Sequence, residues 1–306
     1  MQSLKAQQPD WENMCFVLPN RRAQHFLQKE LTVALEGPLI LPQSYSIDDF
    51  VVAISMLKPA TDLEQQQALY QSYCASTDKK DKPNSFETFL GWSTPLLKDL
   101  NTIDQYLVDR KDFFSYMSSL HEIRAWGQAQ DKIIQDYTAF WKRLPDMYHE
   151  FMHRLEESGQ TTPGMCYRMS TELLETFLQH NSKTQFVFCG FNALSPSEIF
   201  IVRELLTQDR AQVFWDIDKQ MLDDELDQAG RFIRSYISTW PEYKQQPFNQ
   251  AHAHFHDSKS IKVIQVQQQL GQAKEIGDIL AKMDNQQDWS KTAVVLADES
   301  LLMPLL

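Results

Sequence analysis

Residues 185–206, QFVFCGFNALSPSEIFIVRELL, constrain the fold more than any other stretch of the chain. The apolar run at Gln185–Cys189 reads as a buried strand, and a loop follows it. Ser195 then stands at a helix N-cap, Pro196 at the first helical position and Glu198 three residues after the cap. Hydroxyl and carboxylate at this spacing satisfy orphan N–H groups reciprocally, and proline loses nothing where the helix offers its N–H no partner. The next apolar run, 211–215, is a further strand. Strand, capped helix and strand in succession favour an α/β fold.

The first residues repeat this alternation. Met14–Leu18 reads as a strand closed by Pro19. Residues 21–35 read as a helix, with Phe26, Leu27, Leu31 and Ala34 at helical spacing and Gly37-Pro38 as its stop. Residues 39–41 read as a second short strand. Residues 46–57 read as a second helix, with Asp48 and Asp49 in the first turn, where the helix dipole favours acids.

Residues 62–182 change character. Leu96, Leu97, Leu100, Ile103 and Leu107 recur every three or four residues, as do Ile133, Ile134, Tyr137, Trp141, Leu144, Tyr148, Phe151 and Leu155. DKKDKPN at 78–84 reads as a charged loop inside a helical block. Residues 240–260, rich in Gln, His and Pro, read as a linker. Residues 261–266, 270–283 and 292–297 then read as strand, helix and strand. The expected division is 1–61 and 183–239 as the two parts of one α/β domain, 62–182 as its helical insertion, 240–260 as a linker and 261–306 as the start of a second domain. The final residues 298–306 begin a helix that stops while still apolar, so the chain reads as a fragment of a longer protein.

Composition narrows the function classes. The formal charge of −12 argues against broad non-specific attraction to nucleic acid but leaves room for a local basic strip. Cys15, Cys74, Cys166 and Cys189 are widely spaced with no CxxC pair, so reduced thiols are expected rather than disulfides or zinc. The first 13 residues carry no apolar signal stretch, and no apolar run approaches the roughly 20 residues of a membrane span. A soluble, cytoplasmic protein with no membrane partner is expected.

Individual motifs divide into candidates and solvated surface. Asn20, Arg21 and Arg22 follow the first strand and open a helix, where guanidiniums beside free backbone N–H groups can hold a phosphate. No GxxxxGK[ST] phosphate loop occurs, which argues against ATP as a cofactor; no cofactor and no metal are expected. Asp216 and Asp218 in AQVFWDID could pair on a cation, yet acids often terminate strands. His252, His254 and His256 alternate, but without an acidic or Cys partner at fixed spacing they read as polar linker. Asp223, Asp224, Glu225 and Asp227 read as a solvated helix start.

Residues 185–198 resemble the strand, loop and helix of superfamily 1 helicases, whose pattern is apolar-apolar-Asp-Glu-Phe-Gln-Asp-x-x-Pro. Phe191 matches the Phe, while Cys189, Gly190, Asn192 and Ala193 stand where Asp, Glu, Gln and Asp would be. Cys and Gly cannot hold Mg²⁺ through oxygen or activate water, so the resemblance is to an inactivated motor. Pro19-Asn20-Arg21-Arg22-Ala23 resembles the Thr-Asn-Lys-Ala-Ala loop that touches single-stranded DNA in those helicases. Phe191 and Asn192 join Asn20, Arg21 and Arg22 as nucleic-acid-binding candidates on this likeness.

Several segments in order are similar to the AddB-like or RexB-like subunits of double-strand-break resection machines. They are FVLPNRRAQHFL at 16–27, FLGWSTPLLKDLNTIDQYLVD at 89–109, GMCYR at 164–168, CGFNALSPSE at 189–198, VFWDID at 213–218, GQAKEIGDIL at 271–280 and TAVVLADE at 292–299. The resemblance implies a partial RecA-like (P-loop NTPase-like) parallel sheet with a large helical insertion and the start of a second β-α-β domain. It also implies a non-catalytic scaffold that guides DNA and docks an AddA-like helicase subunit, with a PD-(D/E)XK nuclease domain far downstream and outside these residues. Two other readings stand beside it. One is an ATP-dependent helicase or nuclease subunit whose catalytic parts lie elsewhere; the other is a protein-interaction module with no DNA role.

Overall fold

The computed structural model describes residues 11–34, 41–77, 83–125, 132–245, 248, 250–283 and 289–306. Two compact units divide the chain, residues 1–255 and 256–306.

The first unit is built on four parallel strands in the order β2-β1-β3-β4: β1 Met14–Leu18, β2 Gln43–Ser46, β3 Gln185–Cys189 and β4 Ala211–Phe214. All five residues of β1 are buried, because both faces of the sheet are covered and neither set of alternating side chains meets water. On one face Met14, Phe16, Leu18 and Val187 lie with Ala23 and Leu27 of α1 (Arg21–Ala34). On the other, Cys15, Val17, Phe186, Phe188 and Val213 form the main core. That core also takes Phe50 and Ile54 of α2 (Ile47–Ser55), and Ile201 and Leu205 of α8 (Pro196–Thr207). Phe50 is fully buried and touches Phe186 and Phe188 at centroid distances of 5.5 and 6.0 Å. The expected α8 capping box is present: Glu198 accepts from the Ser195 backbone N–H at 2.6 Å, and Ser195 Oγ accepts from the Glu198 N–H.

The second strand lies at Gln43–Ser46 rather than at 39–41. Leu39 and Ile40 are outside the described residues, and Leu41 is exposed and not in a strand. QSYS carries no apolar run because β2 is an edge. The Ser44 carbonyl accepts from Gln24 Nε2 at 2.6 Å, so a polar side chain of α1 covers the strand in place of apolar packing.

Between β2 and β3 stand α3 (Asp62–Ser76), α4 (Phe86–Gln105), α5 (Arg110–Ala125), α6 (Lys132–Glu157) and α7 (Pro163–His180). Residues 78–82 of the expected charged loop lie outside the described residues, as do the side chains of Ile133, Ile134 and Tyr137. A separate core holds the block together, with Leu69, Phe89, Leu144, Phe151 and Leu155 buried at its centre. The block closes at its neck, where Ala60 N–H donates to the Thr161 carbonyl at 2.8 Å and Thr161 N–H to the Lys58 carbonyl at 3.0 Å.

α7 joins the block to the sheet. Cys166, Tyr167, Leu174 and Leu178 face the sheet core, while Met165 lies against the helical core. At its start the α7 backbone nearly touches α4: a Cβ on Gly164 would fall 2.3 Å from the Asn101 carbonyl oxygen, which no side chain tolerates. Gly164 N–H donates to Asn101 Oδ1 at 2.7 Å, Asn101 Nδ2 to Gln65 Oε1 at 3.2 Å, and Gln65 Nε2 to the Ala60 carbonyl at 2.9 Å. One turn further on, Asp104 is buried and accepts from Arg110 Nε at 2.7 Å, Arg168 Nε at 3.0 Å and the Tyr148 hydroxyl at 2.7 Å.

Three expectations are corrected. Phe26, assigned to the buried stripe of α1, is 61% exposed. Helix geometry places it about 140° from Leu31, the buried centre of that helix. Residues 240–255 are not a linker: Trp240 is buried, and Tyr243 and Phe248 pack on the sheet core. There Gln250 accepts from Trp215 N–H at 2.9 Å and donates to the Val213 carbonyl at 3.0 Å, extending the edge of β4 with a side chain. A few aromatics and one amide do this packing, so no periodicity announces it.

The third correction concerns residues 256–306. Here α9 (Gln269–Lys282) is present, but 261–266 and 292–297 form no strand. Ile261, Val263 and Val295 are 80%, 92% and 88% exposed. A lone parallel pair under one helix would shield one face only and form too small a ladder to hold itself together. Gln269 Nε2 instead donates to Asp298 Oδ2 at 2.6 Å, and Asp298 caps the 3₁₀ turn Glu299–Leu301. No helix among the described residues is long and apolar enough to cross a membrane.

Removing Asp104 leaves two guanidiniums and a phenol without their shared acceptor. Asp104→Ala is expected to lower stability by about 3 kcal/mol, the low end for a broken buried pair because Arg110 and Arg168 keep some contact with water. Urea denaturation followed by circular dichroism measures it, and a loss below 1 kcal/mol would show that the node is not structural.

Candidate nucleic-acid interface at the carboxyl edge of the sheet

In the strand order β2-β1-β3-β4 the connection after β1 runs to one side and that after β3 to the other. The carboxyl ends of β1 and β3 therefore flank a topological switch point, where open α/β sheets form their binding crevice. The loops leaving these two strands carry all five candidates, and they adjoin: a Cβ on Gly190 would lie 3.7 Å from Pro19 Cδ.

Asn20 caps α1, its Oδ1 accepting from Ala23 N–H at 2.9 Å. Its oxygen is committed to the helix, and its amide N–H₂ remains exposed at the edge. Arg21 is exposed but engaged, donating from Nε at 3.0 Å and from a terminal nitrogen at 2.7 Å to the two oxygens of Asp49. These charge-assisted bonds, with a further one from Ser46 Oγ, hold the Asp49 carboxyl below the usual carboxylate range. Arg22 is exposed and makes no ion pair among the described residues. The two arginines are therefore not equivalent, because half of the expected guanidinium charge is neutralised by the neighbouring helix.

On the second loop Asn192 is exposed, but Phe191 is not available to a base. It is 7% exposed and packs on Phe188 with centroids 6.1 Å apart, so its place among the binding candidates is corrected to the core. Gly190 has φ of +78°, where a side chain is strained, and its N–H points to the Phe214 carbonyl. Burial pushes the Cys189 thiol up to about 12, so it is neither a thiolate nucleophile nor a ready metal ligand at neutral pH.

Tyr167 of α7 is a polar member of this region with no signal in the sequence. Its hydroxyl donates to Asp48 Oδ1 at 2.7 Å across 119 residues. Burial, then the negative charges of Asp48 and Glu198, raise its pKa. Burial likewise raises the Glu198 carboxyl, against the opposing bonds from Ser195. Acids on the first turn of α2 thus act on Arg21, and of the two candidate guanidiniums only Arg22 carries no ion pair among the described residues.

The paired acids after β4 separate. Asp216 is 92% exposed, whereas Asp218 is a latch. Its Oδ1 accepts from Gln220 N–H at 2.9 Å, and its Oδ2 from His254 N–H at 2.7 Å and Phe255 N–H at 2.9 Å. The His252–Phe255 segment is thereby held by its backbone, with the His252 and His254 rings stacked at 6.0 Å. All four cysteines are free thiols.

Compared with protein-family models and with curated proteins, the chain matches none.

The Asp218 bonds hold its carboxyl below the ordinary range, led by the one from Gln220. A depressed folded pKa stabilises the native state above the unfolded value near about 4, and the benefit disappears as pH falls through the folded value. The stability gap between wild type and Asp218→Ala is therefore expected to be full at pH 7 and to close in acid, as measured by urea melts at both pH values. A gap independent of pH would remove the charge of Asp218 from the latch.

Proposed function

We propose that this chain is the non-catalytic, helicase-like scaffold region of a DNA double-strand-break processing protein, guiding single-stranded DNA and docking a motor subunit of AddA-like type. The observation that carries the reading is the construction of the switch-point edge. Four parallel strands place Asn20 and Arg22 on one loop and Asn192 on the adjoining one. The positions that would hold metal and water in a nucleotide hydrolase carry instead a half-buried thiol and a glycine at positive φ. In this reading the sheet is a partial RecA-like one, and the helical block is its insertion. What survives at the edge is polar and cationic contact to a backbone, without oxygen ligands on β3.

The likeness of the segments at 89–109 and 164–168 to resection subunits gains physical sense from their contact. Asn101 and Asp104 of the first bond directly to Gly164 and Arg168 of the second. Both are then needed to dock the helical block. A net charge of −12 opposes DNA binding over most of the surface, so micromolar or weaker affinity is expected, with a basic motor subunit completing the path.

Fluorescence anisotropy with a labelled oligonucleotide at low salt tests the reading. Arg22→Ala is expected to weaken binding and to lower the log–log salt slope by roughly 0.7, the counterion release of one single-strand phosphate contact. Asp49→Asn frees Arg21 and is expected to strengthen binding and raise the slope by about the same amount. Absence of binding by wild type would leave the protein-interaction reading. Isothermal titration with ATP and Mg²⁺ is expected to give no heat of binding; micromolar affinity would favour the ATP-dependent subunit instead.

A further inference from the structure

The outer face of α1 is unusual for a surface helix. Leu31 marks its buried centre. Directly opposite, Arg22, Phe26, Lys29 and Val33 fall within about 60° of one another on a helix of 3.6 residues per turn. Arg22 and Lys29 are exposed, and neither makes an ion pair among the described residues. Phe26 is 61% exposed and Val33 73% exposed. Glu30, the one acid of the helix, lies at the margin of this face, about 80° from Arg22.

We propose that this face continues the path from the switch-point loop and holds an unpaired nucleic-acid strand, with Arg22 and Lys29 on phosphates and Phe26 stacked on a base. The inference rests on the DNA reading above and adds two contact residues to it. Three observations select this occupant. The cations are separated along the axis by about 10 Å, with the aromatic ring between them, so charge and stacking alternate along the helix. The stripe begins at Arg22, in the first turn of α1 beside the loop at the carboxyl edge of β1. Its free positive charge, on a chain of net −12, complements a phosphate backbone. An aromatic ring this exposed costs solvation in the free protein, and a base face covers it without sequence preference.

The test uses the whole chain and a labelled homopyrimidine oligonucleotide, with circular dichroism melts as the control for folding. Phe26→Ala is expected to weaken binding about tenfold and Phe26→Tyr to leave it unchanged, in keeping with base–aromatic stacking. Lys29→Gln is expected to lower the salt slope by roughly 0.7. An abasic oligonucleotide of equal length is expected to bind wild type and Phe26→Ala alike. If Arg22→Ala weakens binding while Phe26→Ala and Lys29→Gln do not, the extension along α1 is wrong and the DNA reading stands. If Phe26→Leu binds as well as wild type, the ring does not stack and the proposal fails. If wild type binds no oligonucleotide, both readings fall, and the face is left for a protein partner.

Discussion

The architecture depends on α7 being packed on two sides at once. A helix normally buries one stripe, but α7 presents Cys166, Tyr167, Leu174 and Leu178 to the sheet core, and Gly164, Met165 and Arg168 to the helical block. Gly164 makes this possible, since only a residue without Cβ lets the α4 carbonyl at Asn101 come so near. The polar chain from Gly164 through Asn101 and Gln65 to Ala60 then ties this contact to the neck, where the block leaves and rejoins the sheet domain. The 100 residues between Ala60 and Thr161 are thereby closed on themselves by two backbone bonds and one side-chain relay. Loop closure grows only slowly in cost with length, so a long insertion with its own core is tolerated once its ends are stitched together. The strands on either side of it can then pair in register as if it were absent.

Much of this was legible in the residues. Strands β1, β3 and β4, the helices between them and the capping box at Ser195 and Glu198 each carry a local signature, and these signatures agree with one another. What escaped was carried by contacts distant in sequence. β2 is polar because Gln24 covers it, residues 240–255 are ordered by scattered aromatics and the Asp218 latch, and Phe26 shares the spacing of its buried neighbours but not their side of the helix. A helical repeat identifies a stripe; it does not say that every apolar residue near the stripe lies within it. The apolar runs at 261–266 and 292–297 failed in the opposite way. β-branched residues give a strand propensity, but a strand needs neighbours, and propensity for pleated surface is itself mostly a property of those neighbours.

The candidate edge shows the same division. Its two loops adjoin because parallel strands deliver their carboxyl ends to one side of the sheet. The state of the side chains around them was not legible, since it is set by partners 28 and 119 positions away in sequence, Asp49 for Arg21 and Tyr167 for Asp48 of α2. Arg21 and Arg22 are neighbours of identical chemistry, yet one is held in a bidentate pair and the other stands free in solvent. Phe191 shows that an aromatic on a loop can belong to the core even when the residues around it are exposed.

These pairings show how a net charge of −12 is compatible with the proposed nucleic-acid role. Acids at the first turns of α2 and α8 are favoured by the helix dipoles whatever the ligand, and Asp49 removes one cation from the edge as a consequence of helix stability. Cations stay unpaired only where a helix turns its outer face away from such acids, as Arg22 and Lys29 do on α1 among the described residues. On the loop after β3, Gly190 at positive φ makes the absence of a carboxylate a property of the backbone as well as of the side chains. An acid placed there would bring the strain of a left-handed residue of about 1–2 kcal/mol with it. The main chain at Gly190 therefore disfavours an acid at this position independently of the side chains around it.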